Sequence, residues 1–256
     1  MPLALLIATA VPLHFNPPVD FEKRYHRKLQ VTYLIKGQTV HTGHDLDLKI
    51  RISGRDGEIT AVDTTVLKAK LLMSPYMPHY DRREELERAA VGSVARAMVD
   101  PHGGVGKLSV LRGDTGEKGT HMPATIAWNS AANLHAIMLP ARFVRVGETW
   151  KANYSIQEAL AAAGITAPEK MIPVQLTLAE VKDIGGVPHA RLKLIAEVET
   201  EAEKDGIKAF IRLKDKGEGW FDVKTGLPRR LTLSGDITAT GDAPYRARRI
   251  ITIAAK

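Results

Sequence analysis

The chain has 256 residues, 44% of them hydrophobic and 25% charged, the values of an ordinary globular protein and enough length for one large β domain or two smaller lobes. No run approaches the roughly 20 apolar residues of a membrane-spanning helix, and the absence of cysteine excludes disulfides, thiolate nucleophiles, cysteine-ligated zinc and lipid attachment through a thiol. With 36 Lys and Arg against 29 Asp and Glu the formal charge is +7, which directs attention to anionic partners.

At the start, Leu3-Ala4-Leu5-Leu6-Ile7 followed by Ala8-Thr9-Ala10 has the form of the end of a secretory signal, a short apolar stretch and an Ala-x-Ala site, without the positive region that should precede it. The expectation is a mature chain beginning near Val11, with Phe15-Asn16-Pro17-Pro18 as an exposed leader; a buried N-terminal strand is the alternative. Leu29 to Ile35 reads as a strand turned by Lys36-Gly37-Gln38. Leu46, Leu48, Ile50 and Ile52 then alternate with Asp45, Asp47, Lys49 and Arg51, which puts one face in a core and the other in water. Gly54-Arg55-Asp56-Gly57 predicts a tight hairpin, with a strand from Glu58 to Leu72 on its far side.

Asp81-Arg82-Arg83-Glu84 offers an N-cap with an acid three residues later, predicting a short helix through Leu86 and Ala90 that Gly92 ends. A strand–turn–strand cassette follows, Val94 to Val99, Asp100-Pro101-His102-Gly103-Gly104, then Val105 to Leu111. A second cassette has Gly219 to Val223 before Lys224-Thr225-Gly226-Leu227-Pro228 and Arg230 to Ile237 after it. Between them, Ser155-Ile156-Gln157-Glu158 opens an Ala-rich helix that stops at Gly164, and alternation resumes at Val174, Leu176, Leu178, Leu192, Leu194, Ala196 and Val198. Ile207 to Leu213 and Tyr245 to Ala254 are the remaining strands. The two halves share an order of elements at low identity, so duplication and convergent β patterning both stay open.

The phrase Leu139-Pro140 with Val144-Arg145-Val146-Gly147-Glu148-Thr149-Trp150, joined to Gly219-Trp220-Phe221-Asp222-Val223 and the turn after it, resembles a family of secreted bacterial β-rich proteins of unknown function. These are similar in outline to periplasmic lipoprotein carriers, whose open half-barrel holds acyl chains. The resemblance implies an extracytoplasmic location and supplies no catalytic residues. It runs from about Leu139 to Ile237.

Motifs for chemistry are sparse. His41-Thr42-Gly43-His44-Asp45 brings two imidazoles and a carboxylate together, and a polar hairpin tip accounts for it without a metal. His102 and His189 read as surface. Gly103-Gly104-Val105-Gly106-Lys107-Leu108-Ser109 lacks the spacing of a phosphate loop and reads as hairpin. No nucleophile elbow, zinc-protease helix or dinucleotide fingerprint occurs. No catalytic residue, metal or cofactor is therefore expected, and the few aromatic residues argue against nucleic acid.

The expected fold is mainly β, with curved antiparallel sheets in an open half-barrel or sandwich and two short helices. Residues 1–20 form a leader, 21–119 a first lobe and 120–256 a second lobe with the Ala-rich helix, unless all are one domain. The expected function is non-enzymatic binding of a hydrophobic or anionic amphiphilic ligand outside the cytoplasm. Lipid or an anionic envelope polymer is the partner, and the outward basic residues Lys49, Arg51, Arg191, Lys193, Arg212 and Lys214 are the ligand-binding candidates, with Arg229-Arg230 and Arg246, Arg248 and Arg249 adding charge. The alternatives are a structural or protein-interaction module of the envelope and a hydrolase whose site is assembled only in three dimensions.

Overall fold

A computed structural model describes residues 10–35, 37–75, 80–113, 138–155, 171–204, 207–242 and 244–256. The strands are β1 (Val11–Leu13), β2 (Glu22–Ile35), β3 (Gln38–Asp56), β4 (Ile59–Met73), β5 (Val94–Val99), β6 (Val105–Arg112), β7 (Arg142–Val144), β8 (Thr149–Ser155), β9 (Met171–Asp183), β10 (Pro188–Lys204), β11 (Ile207–Asp222), β12 (Pro228–Gly241) and β13 (Tyr245–Ala255). Eleven of them form one antiparallel sheet in the order β6-β5-β4-β3-β2-β13-β12-β11-β10-β9-β8, and β1 pairs with β7 apart from it. Two meanders, β2 to β6 and β8 to β13, thus merge where β13 pairs with β2, Tyr25 facing Ala255 and Leu34 facing Arg246. Among the described residues β6 and β8 each pair with one strand of this sheet, so the ring is not closed.

The period-two pattern decides the two faces. One phase is buried across the sheet: Leu46, Leu48, Ile50 and Ile52 of β3, Leu176 and Leu178 of β9, Leu192 and Leu194 of β10, Leu213 of β11, Leu231 of β12 and Ile251 and Ile253 of β13 belong to one contiguous cluster. Ile211 is buried on the same phase, and Leu233 packs partly buried against the cluster, so the aliphatic positions read from the sequence do share a face. The opposite phase is half-buried or exposed and carries most of the charges.

One α-helix lies among the described residues, α1 (Arg83–Ala90), preceded by a 3-10 turn over Tyr80–Arg82. That turn occupies the place expected for an Asp81 cap, and the cap position falls to Arg82, which makes no side-chain capping bond. Leu86 and Ala90 are buried, and the Glu87 carboxylate accepts from the backbone N–H of Leu71, holding the helix to β4. The expected Ala-rich helix lies outside the described residues.

Both cassette turns form as anticipated, with Gly103 at φ +80° and Gly226 at φ +71°. What joins them is the segment expected to be an exposed leader. Phe15 is only 3% exposed and Pro17 is buried, because β1 pairs with β7 and the next residues run between the two turns. Phe15 donates its N–H to Pro101 O at 2.7 Å, and Asn16 donates to Thr225 O at 3.1 Å. Leu139 closes the knot by donating to His102 O at 2.7 Å.

Candidate functional site

The basic candidates were chosen for lying on the outward phase, and they do. Five of the six form an ion pair with an acid on a neighbouring strand or turn. Lys49 pairs with Glu22 at 3.2 Å, Arg51 with Asp20 at 3.0 Å and Arg191 with Glu180 at 3.2 Å. Arg212 reaches Glu197 at 2.5 Å and Glu199 at 3.2 Å, while Lys214 shares Glu197 at 3.0 Å. Lys193 stands opposite Thr177 and Glu218 in register. The four on β10 and β11 are neighbours, but β2, β13 and β12 separate them from Lys49 and Arg51 on β3. These pairs sit in high dielectric and neutralise one another locally. Arg249 departs from the expectation altogether: it faces the buried side, where it pairs with Asp215 of β11.

The polar residues on the buried face are the more informative set. Tyr25 and Arg27 of β2 are both 0% exposed. The register sets Tyr25 beside Leu48, Arg27 beside Leu46 and Leu29 beside His44, so the two polar residues stand in an aliphatic wall. Arg27 donates from Nη1 to Nε2 of His44, which is itself 8% exposed. Burial and the neighbouring guanidinium push the His44 pKa down to about 3, keeping the imidazole neutral and able to accept. Burial likewise lowers the Arg27 pKa, to about 10. The Tyr25 hydroxyl has no hydrogen-bond partner, and burial, reinforced by the Asp222 charge, raises its pKa. Lys23, two residues back, has its Nζ 5.8 Å from the Tyr25 ring centre; burial lowers its pKa, opposed by Asp222 and aided by Arg229.

The His41 to Asp45 run is not a hairpin tip. Because β2 is fourteen residues long, β3 starts as early as Gln38, and the run lies inside the strand. Alternation then divides it: His44 joins the buried phase, whereas Asp45 faces out to His26 Nε2 at 3.4 Å and His41 Nδ1 meets Thr32 Oγ1 at 3.2 Å. Among the described residues no group of three or more potential metal ligands gathers. His189 is buried, not on the surface, its Nδ1 bonded to Val187 O at 2.8 Å.

His44 could have been found in the sequence, since it extends the Leu46, Leu48, Ile50 phase by one step. Tyr25 and Arg27 could not: Lys23-Arg24-Tyr25-His26-Arg27-Lys28 is polar in both phases and gives no alternation to read.

No protein-family model matches this chain, and no curated protein matches it. Among solved structures it is similar to lipovitellin, in a structure concerned with lipid–protein interactions, with a TM-score of 0.53 and 9% identity over 93% of this chain. The match spans a quarter, 25%, of the lipovitellin chain. Two others match at a TM-score of 0.26: DynF from the dynemicin biosynthesis pathway of Micromonospora chersina, 10% identical over 99% of this chain and 88% of that one, and a protein with a YmcC-like fold from Bacteroides fragilis, 11% identical over 96% and 99%. The class defined is a protein with a large antiparallel β-sheet whose fold resembles part of lipovitellin.

Proposed function

We propose that this chain is a non-enzymatic protein that binds a hydrophobic or amphiphilic ligand outside the cytoplasm, its sheet curved into an open half-barrel with the buried face on the concave side. The clasp between the two cassette turns supports the curvature. Five inter-strand steps separate β5 from β12 in the sheet, roughly 24 Å if it were flat. Yet the turns that follow β5 and precede β12 bond to Phe15 and Asn16, whose Cα atoms are about 3.8 Å apart. The signal-like Leu3 to Ala10 segment supports the location.

The observation that carries the ligand class is the single contiguous aliphatic face drawn from both meanders of a sheet whose edges do not join. Acyl chains need just such a surface, and lipovitellin uses a comparable fold in company with lipid. The outward cations take no part in this reading, since acids on neighbouring strands already answer most of them.

Protein prepared without detergent should carry an amphiphile at fixed stoichiometry in native mass spectrometry, or take up a fluorescent fatty acid saturably. A clean apo mass together with no saturable uptake would sink the proposal. A second reading, a module that accepts a partner's strand, is favoured by β6 and β8, each with one paired neighbour among the described residues. A stoichiometric protein partner bound in place of lipid would select it.

A further inference from the structure

Resting on that reading, we infer that the preferred ligand is an uncharged lipid bearing a hydroxyl, and that the hydroxyl is held on the inner face by the ion pair of Arg249 with Asp215. Unlike the outward pairs, this one lies on the aliphatic phase of the sheet.

Access decides where along that face a head can sit. Towards the clasp the face is sealed: Leu46, Leu48, Leu231 and Ile253 are all 1% exposed or less. Further along the same phase, Leu29 and Val31 of β2 and Leu233 and Ile237 of β12 are half-buried, so solvent reaches the aliphatic surface there. Arg249 stands in the middle of that stretch. The register sets it between Val31 and Gly235, with Leu233 and Ile237 two residues away from Gly235 along β12 in either direction. Its side chain is 33% exposed, against 13% for Asp215.

The pair is built into the wall. β12 separates Arg249 of β13 from Asp215 of β11, and the residue between them is Gly235. A Cβ at Gly235 would run into Asp215 Oδ1 and stand 3.3 Å from Arg249 Nε, so the glycine leaves the room in which the two side chains meet across its strand. Arg249 donates from Nε to Asp215 Oδ1 at 3.3 Å and from Nη2 to Oδ2. Among the described residues its Nη1 makes no hydrogen bond. Replacing such a pair by apolar side chains is often neutral or stabilising, so stability alone does not account for it.

The two charges cancel, and what remains is a donor beside an acceptor. A hydroxyl accepts from Nη1 and donates to the Asp215 carboxylate, which has lone pairs to spare. A fatty-acid carboxylate offers no proton and brings its charge against that of Asp215 in a poorly hydrated wall. The chain behind the hydroxyl lies against Leu29, Leu233 and Ile237, which border the buried cluster.

The test titrates oleyl alcohol, oleate and octadecene, which differ in their heads, into the full chain, into Asp215→Asn, and into the double variant Arg249→Met with Asp215→Leu, at alkaline pH where oleate is ionised. The unaltered protein should bind oleyl alcohol roughly tenfold more tightly than oleate and severalfold more tightly than octadecene. Asp215→Asn keeps an oxygen for Arg249 and releases its positive charge, so oleate should overtake oleyl alcohol. In the double variant oleyl alcohol should lose its advantage over octadecene, whose own affinity should not fall. That variant exchanges a charged pair for apolar side chains, so its melting temperature should equal or exceed that of the parent, and it decides the matter even if Asp215→Asn does not fold. An unaltered protein that prefers oleate, or an advantage of oleyl alcohol over octadecene that survives in the double variant, would overturn the hydroxyl site while leaving the binding function standing. Failure of all three probes to bind would instead overturn the function itself.

Discussion

His44 shows how much a single position depends on its phase. One residue to either side would place it in solvent beside the acids of the outer face; on the even phase it is buried next to a cation. The physical consequence is a pH dependence whose sign is fixed. Its pKa falls from 6.5 in the unfolded chain to about 3 in the fold, so between those values the unfolded state holds one more proton than the native state. The stability contributed by the neutral, buried imidazole is present above pH 6.5 and is lost as the pH falls. Denaturant titrations should show an acid slope of about 1.4 kcal/mol per pH unit between roughly pH 6 and pH 4 from this residue alone. His44→Gln keeps an acceptor for Arg27 and removes the titration, and its curve should be flatter by that amount. Parallel curves for the two proteins would show that His44 is not held neutral. Asp47, held below the usual carboxylate range first by its hydrogen bond to Lys256, loses its contribution at lower pH and does so in both proteins.

At the scale of elements, the clasp formed by β1, its following residues and the two cassette turns is the part that tertiary structure adds to local pattern. Each turn was legible alone, because Gly and Pro at fixed offsets between alternating runs have few other uses. Their meeting was not, since more than a hundred residues separate Pro101 from Thr225 and nothing local in either turn refers to the other. Phe15-Asn16-Pro17-Pro18 reads as exposed for a related reason: proline stops a regular strand, yet the segment binds through isolated N–H groups rather than a ladder. Gly226 and Gly185 separate the two demands a glycine can answer. Gly185 has φ +68° with nothing within 4 Å of where a Cβ would sit. Gly226, at φ +71°, would run a Cβ into His14 O and place it 2.8 Å from Phe15 Cα and 2.9 Å from Leu139 Cδ1. Gly185→Ala should therefore cost about 1 kcal/mol for the backbone angle alone. Gly226→Ala should cost about 3 kcal/mol, a melting-temperature loss of roughly 6–12 °C against roughly 2–4 °C. Equal losses would mean that the clasp closes less tightly than these contacts indicate.

For the molecule as a whole, the aliphatic face was the most legible feature, read correctly from Leu46 through Leu233, and the location of the polar groups within it was the least. Alternation reports which side a strand buries; it cannot report which polar residues of a charged run fall on that side, because Arg27 and Lys28 look alike until the register with β3 is known. The same wall predicts a response to ligand that depends on mass action alone. At a hundredfold excess over the dissociation constant, an amphiphile that binds only the folded sheet stabilises it by about 2.7 kcal/mol. For a chain of this size that is a rise of roughly 5–11 °C in melting temperature, read by differential scanning calorimetry across a series of fatty acid concentrations. A melting temperature independent of concentration would exclude specific binding to the native state.

The pairing of β13 with β2 carries a cost during synthesis. β2 is translated just before β3, which can zip onto one of its edges at once, but its other edge waits until Tyr245 to Ala255 leave the ribosome. Through that interval the nascent chain presents an open row of backbone donors and acceptors alongside Leu29, Val31 and Tyr33. A sheet built this way joins its two meanders last, and the interval before that pairing is when the chain has most need of a chaperone.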